Sequence, residues 1–180
     1  MKKTIIICGL IAGLIVTAMM LFSVSGCYKN ASYEGNMVLG YASMLIAFSL
    51  IFVGVKSYRD KYNGGVITFG KAFKIGFSIA LIASTIYVVV WLIDYYCFMP
   101  DFYEKYSAHM VNKMRAAGAS AAEIQKQVAD AKSFGEKYKN PFFNALVTYG
   151  EILPMGLLVS LLAAFILKRR RKNDNLATVA

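Results

Sequence analysis

Residues 56–74 read KSYRDKYNGGVITFGKAFK, a basic turn set between two long uncharged runs. Residues 37–55 before it carry no charge over 19 positions, and residues 75–93 after it carry none over another 19. An α-helix rises about 1.5 Å per residue, so each run with its helical flanks covers the ~30 Å hydrocarbon core of a bilayer. The turn itself holds Lys56, Arg59, Lys61, Lys71 and Lys74 against the single Asp60. Basic residues concentrate on the cytoplasmic side of spanning helices, so this turn is expected inside the cell. Asn63-Gly64-Gly65 is the break between the two helices, and Thr68 is placed to cap the second.

Composition agrees with this reading. A chain of 180 residues that is 58% hydrophobic, with mean hydropathy +0.52, has more apolar surface than one soluble core can hide. Its formal charge of +10 would suggest nucleic acid in a soluble protein. Here most of the 20 Lys and Arg residues flank apolar runs or lie in the short segments between them, so most of the charge sets orientation. No nucleic-acid role is expected, and what remains for the basic face is anionic lipid or an acidic partner.

Outward from the turn, residues 4–24 form a 21-residue uncharged run behind Met1-Lys2-Lys3. A signal-peptide core spans only about 7 to 15 apolar residues, so the length favours an uncleaved first span. Val24-Ser25-Gly26-Cys27 also has the form of a lipoprotein acylation site, which leaves lipidation of Cys27 as an alternative. Gly9 and Gly13, then Gly76, Ala80 and Ser84, then Gly156, Ser160 and Ala164, place small residues every fourth position on three of the runs. Such rows let helix backbones approach where lipid supplies no hydrophobic drive for association. Trp91, Tyr95 and Tyr96 gather with Asp94 at the end of the third run, as an interfacial belt does. The fourth run, residues 142–167, starts after Asn140-Pro141, contains Glu151 and Pro154, and stops at the basic residues 168–172.

The long polar connection between the third and fourth runs is patterned as two helices. Tyr103, Tyr106, Met110, Met114 and Ala117 recur at helical spacing up to Gly118. Ser120 with Glu123 forms a capping box that opens a second helix, whose stripe is Ala121, Ile124, Val128, Ala131, Gly135 and Tyr138. The expectation is an all-α, polytopic membrane protein forming one membrane domain over residues 1–180. Its four spans cover residues 4–24, 37–55 extending to 62, 69–94 and 142–167. An amphipathic helical hairpin, residues 98–140, is inserted on the outer side, standing off the membrane or lying on its surface. An even number of spans with basic inner segments puts both termini in the cytoplasm of a bacterial cell, with the chain in the inner membrane.

Chemistry-bearing residues are few. Glu151 is the one ionisable group well inside a span, and a charge in hydrocarbon costs several kcal/mol, on the order of 3 by insertion scales. Counting back from Leu167 sets it about 24 Å along the helix, near the outer boundary, with Asp94 a second candidate of the same kind. Cys27 and Cys97 fall just past the outer ends of the first and third spans and form a candidate disulfide, while Cys8 lies on the inner part of the first span. His109, the single histidine, has no carboxylate or second ligand within one turn, so no metal site is expected. No phosphate loop, nucleophile elbow or paired-carboxylate motif occurs, so no catalytic residue and no cofactor are assigned and an enzyme is not expected.

The block FVGVKSYRDKYNGGVITFGKAFKIG at residues 52–76, the N-terminal MKKTIIICGLIAGL, the connection between the third and fourth runs and the LPMGLL of the fourth together resemble a family of bacterial membrane proteins, the domain of unknown function 4199 family. The resemblance implies an integral membrane protein and supplies no activity, ligand or catalytic residue. The functional expectation is therefore a non-catalytic membrane interaction or structural protein, in contact with lipid and with a partner protein at the outer hairpin. The alternative is a small transporter or channel component using Glu151.

Overall fold

The computed structural model describes residues 1–29 and 37–169. Six α-helices follow in chain order among the described residues: α1 (Lys2–Lys29), α2 (Met37–Tyr62), α3 (Phe69–Ile93), α4 (Phe102–Ala116), α5 (Ala121–Tyr138) and α6 (Pro141–Leu167). α1, α2, α3 and α6 are each long and apolar enough to cross a membrane, with mean hydropathy between 2.1 and 2.7 over their most apolar windows. Ile6, Leu10, Leu14, Val53, Leu81, Leu158 and Phe165 stand exposed on these helices, the lipid-facing surface of a membrane protein.

Local chemistry fixes the helix ends. α2 stops because Gly64 and Gly65 take φ of 62° and 76°, the left-handed region that side chains disfavour. The Gly65 N–H then returns to the Arg59 carbonyl at 2.9 Å, satisfying an orphan acceptor of the last turn. Thr68 accepts from the Lys71 N–H and opens α3. The same turn is tied to the far end of the chain. Ile67 and Arg169 exchange two backbone hydrogen bonds of 2.9 and 2.8 Å, and the Arg59 guanidinium reaches the Leu167 carbonyl at 3.5 Å. Asn140 caps α6 through Phe142 and Phe143, with Pro141 in the first turn where no N–H is needed.

Two helices run past their expected ends, and one buried position differs from the sequence reading. α1 does not end at residue 24 but continues to Lys29, because Tyr28 finds a partner on α4. α3 does not release the chain at Asp94; a π-helical turn, Asp94–Phe98, prolongs it, closed by the Met99 N–H on the Asp94 carbonyl at 3.0 Å. On α4 the buried residue is Val111 rather than its neighbour Met110, whereas Gly135 of α5 meets the Tyr103 ring, both on the expected stripes. The remainder of the expected loop, residues 30–36, and the basic residues 170–172 lie outside the described residues.

The spans pack by small residues in the half nearer the basic turn. α3 is the hub, packed against α1 and α6, while α2 closes the bundle against both of those helices. Ala12, Phe48, Ile51, Ile75, Ile79, Ala80 and Ile152 have no exposed surface. A Cβ on Gly156 would fall 2.8 Å from the Ala80 Cβ and 3.0 Å from the Phe48 ring, and one on Gly76 would fall 2.9 Å from Ile51. The half nearer α4 and α5 is less close. One cavity of about 420 Å³ lies between α1 and α2, and another of about 340 Å³ lies where the spans meet α4 and α5.

The contact at Gly156 gives a direct test. Gly156→Ala is expected to lower unfolding stability in detergent by about 1–3 kcal/mol through overpacking against Ala80. Gly150→Ala, on the same helix with nothing within 4 Å, should raise it by up to about 1 kcal/mol through helix propensity. Equal midpoints for the two variants would contradict the close packing.

Candidate binding cavity at the junction of the spans and the α4–α5 pair

The junction is built around the single tryptophan. Trp91 arrives on the outer part of α3 and is 9% exposed. Its indole N–H donates to Asn144 Oδ1 of α6 at 3.0 Å and to the Tyr138 hydroxyl of α5 at 3.2 Å. Thr148, one turn after Asn144, donates to the Asn144 carbonyl at 2.9 Å and to its Oδ1 at 3.3 Å. Asn144 is completely buried, and its Nδ2 group has no hydrogen-bond partner among the described residues. An unmatched buried donor costs roughly 1–3 kcal/mol, so this cluster holds geometry at some expense.

Aromatic side chains surround that polar centre. Tyr103, Phe134 and Tyr138 lie with ring centroids 5.5 to 5.6 Å apart, and Phe102 meets Trp91 edge-on at 5.9 Å. Burial pushes the Tyr138 hydroxyl up to about 12; its bond from Trp91 opposes that shift, and the Glu151 carboxylate adds to it. Tyr138 therefore keeps its proton at any physiological pH.

Two further contacts fasten the α4–α5 pair. The Tyr96 hydroxyl, on the π-helical turn, lies 3.2 and 3.1 Å from the carbonyls of Tyr138 and Lys139, where α5 ends. On the other side, the Tyr28 hydroxyl of α1 donates to Asp101 Oδ1 at 2.7 Å. Lys105 pairs with Asp101 Oδ2 at 2.7 Å and sits 4.6 Å above the Tyr28 ring. Hydrogen bonds from Lys105 and then Tyr28 hold the Asp101 carboxyl below its usual range, and the same Asp101 contact holds the Lys105 ammonium above its own.

The cavity of about 340 Å³ opens within this frame. α1 contributes Met20 and Val24, α3 Tyr87 and Trp91, α4 Phe102, Tyr103 and Tyr106, α5 Phe134 and Tyr138, and α6 Val147, Thr148 and Glu151. A separate groove of about 450 Å³ runs between α4 and α5. Its lining includes Val111, Ala131 and Gly135, and Glu104, Arg115, Lys132, Glu136 and Lys139 add charge.

The residues singled out from the sequence disperse over this structure. Glu151 lines the junction cavity and remains accessible, whereas Asp94 does not line it. Asp94 sits half-buried at the start of the π-helical turn, its Oδ2 without a partner among the described residues. Cys27 is half-buried and Cys97 exposed, and the candidate disulfide between them is not formed; Cys8 is buried in the core. On the inner turn, Arg59 pairs with Asp60 at 2.7 Å, and Lys71 reaches Asn63 at 3.2 Å and lies 5.1 Å over the Tyr58 ring. Lys56, Lys61 and Lys74 are exposed beside them. Sequence reading missed Asn144, Thr148 and Tyr87. Asn144, Thr148 and Glu151 recur at i, i+4 and i+7 in an otherwise apolar run, a polar stripe on one helix face that was there to be found.

A family profile described as protein of unknown function (DUF4199) matches residues 7–169. The chain belongs to this family. Its matched region takes in all four spans, the α4–α5 pair and the inner turn up to the Ile67–Arg169 bridge. No curated protein and no solved structure matches the chain.

The Asp101 contact carries a prediction with a definite sign. A folded-state pKa held below the unfolded value means the contact is present above the ordinary carboxylate range and is lost as pH falls through the lowered value. Nuclear magnetic resonance of the Asp101 carboxyl should show the depressed titration, and Tyr28→Phe should move it part-way up. An unshifted titration in the parent protein would show that the α1–α4 contact is absent in solution.

Proposed function

We propose that this DUF4199 protein is a non-catalytic protein of the bacterial inner membrane that presents its α4–α5 pair, as a helical hairpin on the outer face, to a partner protein. The observation that carries the reading is the division of labour within that pair. One side is fastened to α1, α3 and α6 through Tyr28, Tyr96, Trp91 and Asn144, while the other leaves the groove of about 450 Å³ uncovered. An apolar floor at Val111, Ala131 and Gly135 between charged residues suits an amphipathic helix laid into it. Orientation rests on charge. Lys2, Lys3, the basic turn and Arg169 share the end of the bundle opposite α4 and α5, and a basic end is a cytoplasmic end. Both termini are then inside, and the inner basic face meets anionic lipid.

A second reading, a small transporter component, is favoured by one observation: Glu151 lines a cavity within the bundle. Against it, the layer formed by Phe48, Ala80, Gly156 and Ser160 on the inner side of that level is closely packed. A solute path through it would require the spans to separate. Unchanged solute or ion flux in Glu151→Gln would remove this reading.

Photoreactive residues at positions 115 and 132 should crosslink one and the same protein in cells, and Val111→Glu, which puts a charge on the groove floor, should abolish both products. Crosslinks that survive Val111→Glu would show that the groove is not the contact. Reporter fusions at Gly65 and Gly118 should report inside and outside respectively; the same side for both would overturn the orientation.

A further inference from the structure

We propose that the junction cavity is a binding site for an organic ammonium cation, lined by the rings of Trp91, Tyr103, Phe134 and Tyr138 with the Glu151 carboxylate as its counter-charge. The site goes beyond the partner groove and is independent of it, lying on the side of the helix pair that faces the spans.

The lining chemistry selects the ligand class. Of the 12 residues that form the cavity, seven are aromatic, one is an acid and none is Lys, Arg or His. The neighbouring groove between α4 and α5 carries charges of both signs, with Arg115, Lys132 and Lys139 beside Glu104 and Glu136. Ring quadrupoles attract ammonium groups, and the attraction grows when both are out of water. Tyr103, Phe134 and Tyr138 form one aromatic cluster in the cavity lining, with ring centroids at most 5.6 Å apart.

Glu151 supplies the complementary charge. No hydrogen bond or ion pair to it occurs among the described residues, and it shares the cavity wall with Tyr87, Tyr138 and Thr148. Glu151 is accessible in the cavity wall, and no Lys, Arg or His lines the cavity with it to neutralise the carboxylate. An inorganic cation fits poorly, since hard metal ions demand several oxygen ligands and most of this wall is hydrocarbon and π surface. An alkylammonium group satisfies both features at once, with methyl or methylene surface against the rings and positive charge toward Glu151. At about 340 Å³ the cavity falls at the small end of ligand sites, which run from roughly 300 to 1,000 Å³. Two sources carry this chemistry: a free quaternary or primary amine, and the ethanolamine headgroup of a lipid. α1 and α6 pack against α3 from different sides and supply Val24 and Glu151 to the same cavity, so a headgroup has an approach between them.

Trp91 is the sole tryptophan and lines the site, so its fluorescence reads occupancy directly. The purified protein, in a maltoside detergent free of amines, is titrated with choline, ethanolamine, a short-chain phosphatidylethanolamine and the neutral isostere 3,3-dimethyl-1-butanol. A saturable change is expected with at least one of the ammonium compounds and none with the isostere. Glu151→Gln should weaken binding about tenfold or more, and Tyr106→Leu, a more accessible wall residue, should weaken it by a smaller factor with the thermal midpoint unchanged. Tighter binding of the phosphatidylethanolamine than of free ethanolamine would assign the site to lipid, and the reverse to a soluble amine. An equal response to the neutral isostere, no saturable response to any ammonium compound, or full affinity in a folded Glu151→Gln would overturn the proposal. None of these outcomes bears on crosslinking at the groove, so the two readings fail separately.

Discussion

One indole N–H joins three helices that are far apart in sequence. Trp91 donates across 47 residues to Tyr138 and across 53 to Asn144, and both bonds are buried. In a bilayer or an aromatic cluster such a donor has few alternatives, and leaving it unmatched would cost about as much as the bond contributes to geometry. The register of α5 against α3 follows from it, and so does the entry of α6. Because α5 is fixed at Tyr138, Phe134 and Tyr103 are gathered against the Tyr138 ring, and all three line the cavity with Trp91.

The lower bundle follows a different rule. There, association depends on how closely backbones approach, and the glycines and alanines of α1, α3 and α6 permit the approach. The result is a bundle that is tight at the basic end and open at the aromatic end. That asymmetry places the charged turn, the Ile67–Arg169 bridge and the close-packed layer together, and leaves available space beside Tyr87 and Glu151.

The sequence made the spans legible because hydropathy is a local property that needs no partner to be read. Turn chemistry was equally plain, since Gly64, Gly65, Thr68, Ser120 and Asn140 act on their own neighbours. The candidate site was not legible in the same way, because five helices contribute to it. Trp91 at the end of an apolar run has the ordinary explanation of an interfacial anchor, and nothing local distinguishes that from a buried donor. Tyr28, in the last turn of α1, donates to Asp101, and that pairing spans 73 residues. The choice of Val111 over Met110 for burial likewise depends on the angle at which α5 crosses α4.

The helix pair held by Trp91 is the centre of the account, and amide hydrogen exchange in nanodiscs tests it most directly. Amides of α5 beside Tyr138 and of α4 beyond its first turn, around Tyr106, should exchange slowly, approaching the rates of the outer parts of α3 and α6, while those around Gly118 exchange fast. Trp91→Phe should release the Tyr138 end selectively. Uniformly fast exchange from residue 102 to residue 139 in the parent protein would mean that α4 and α5 are not fastened to the spans, and would contradict both the junction and the cavity built on it.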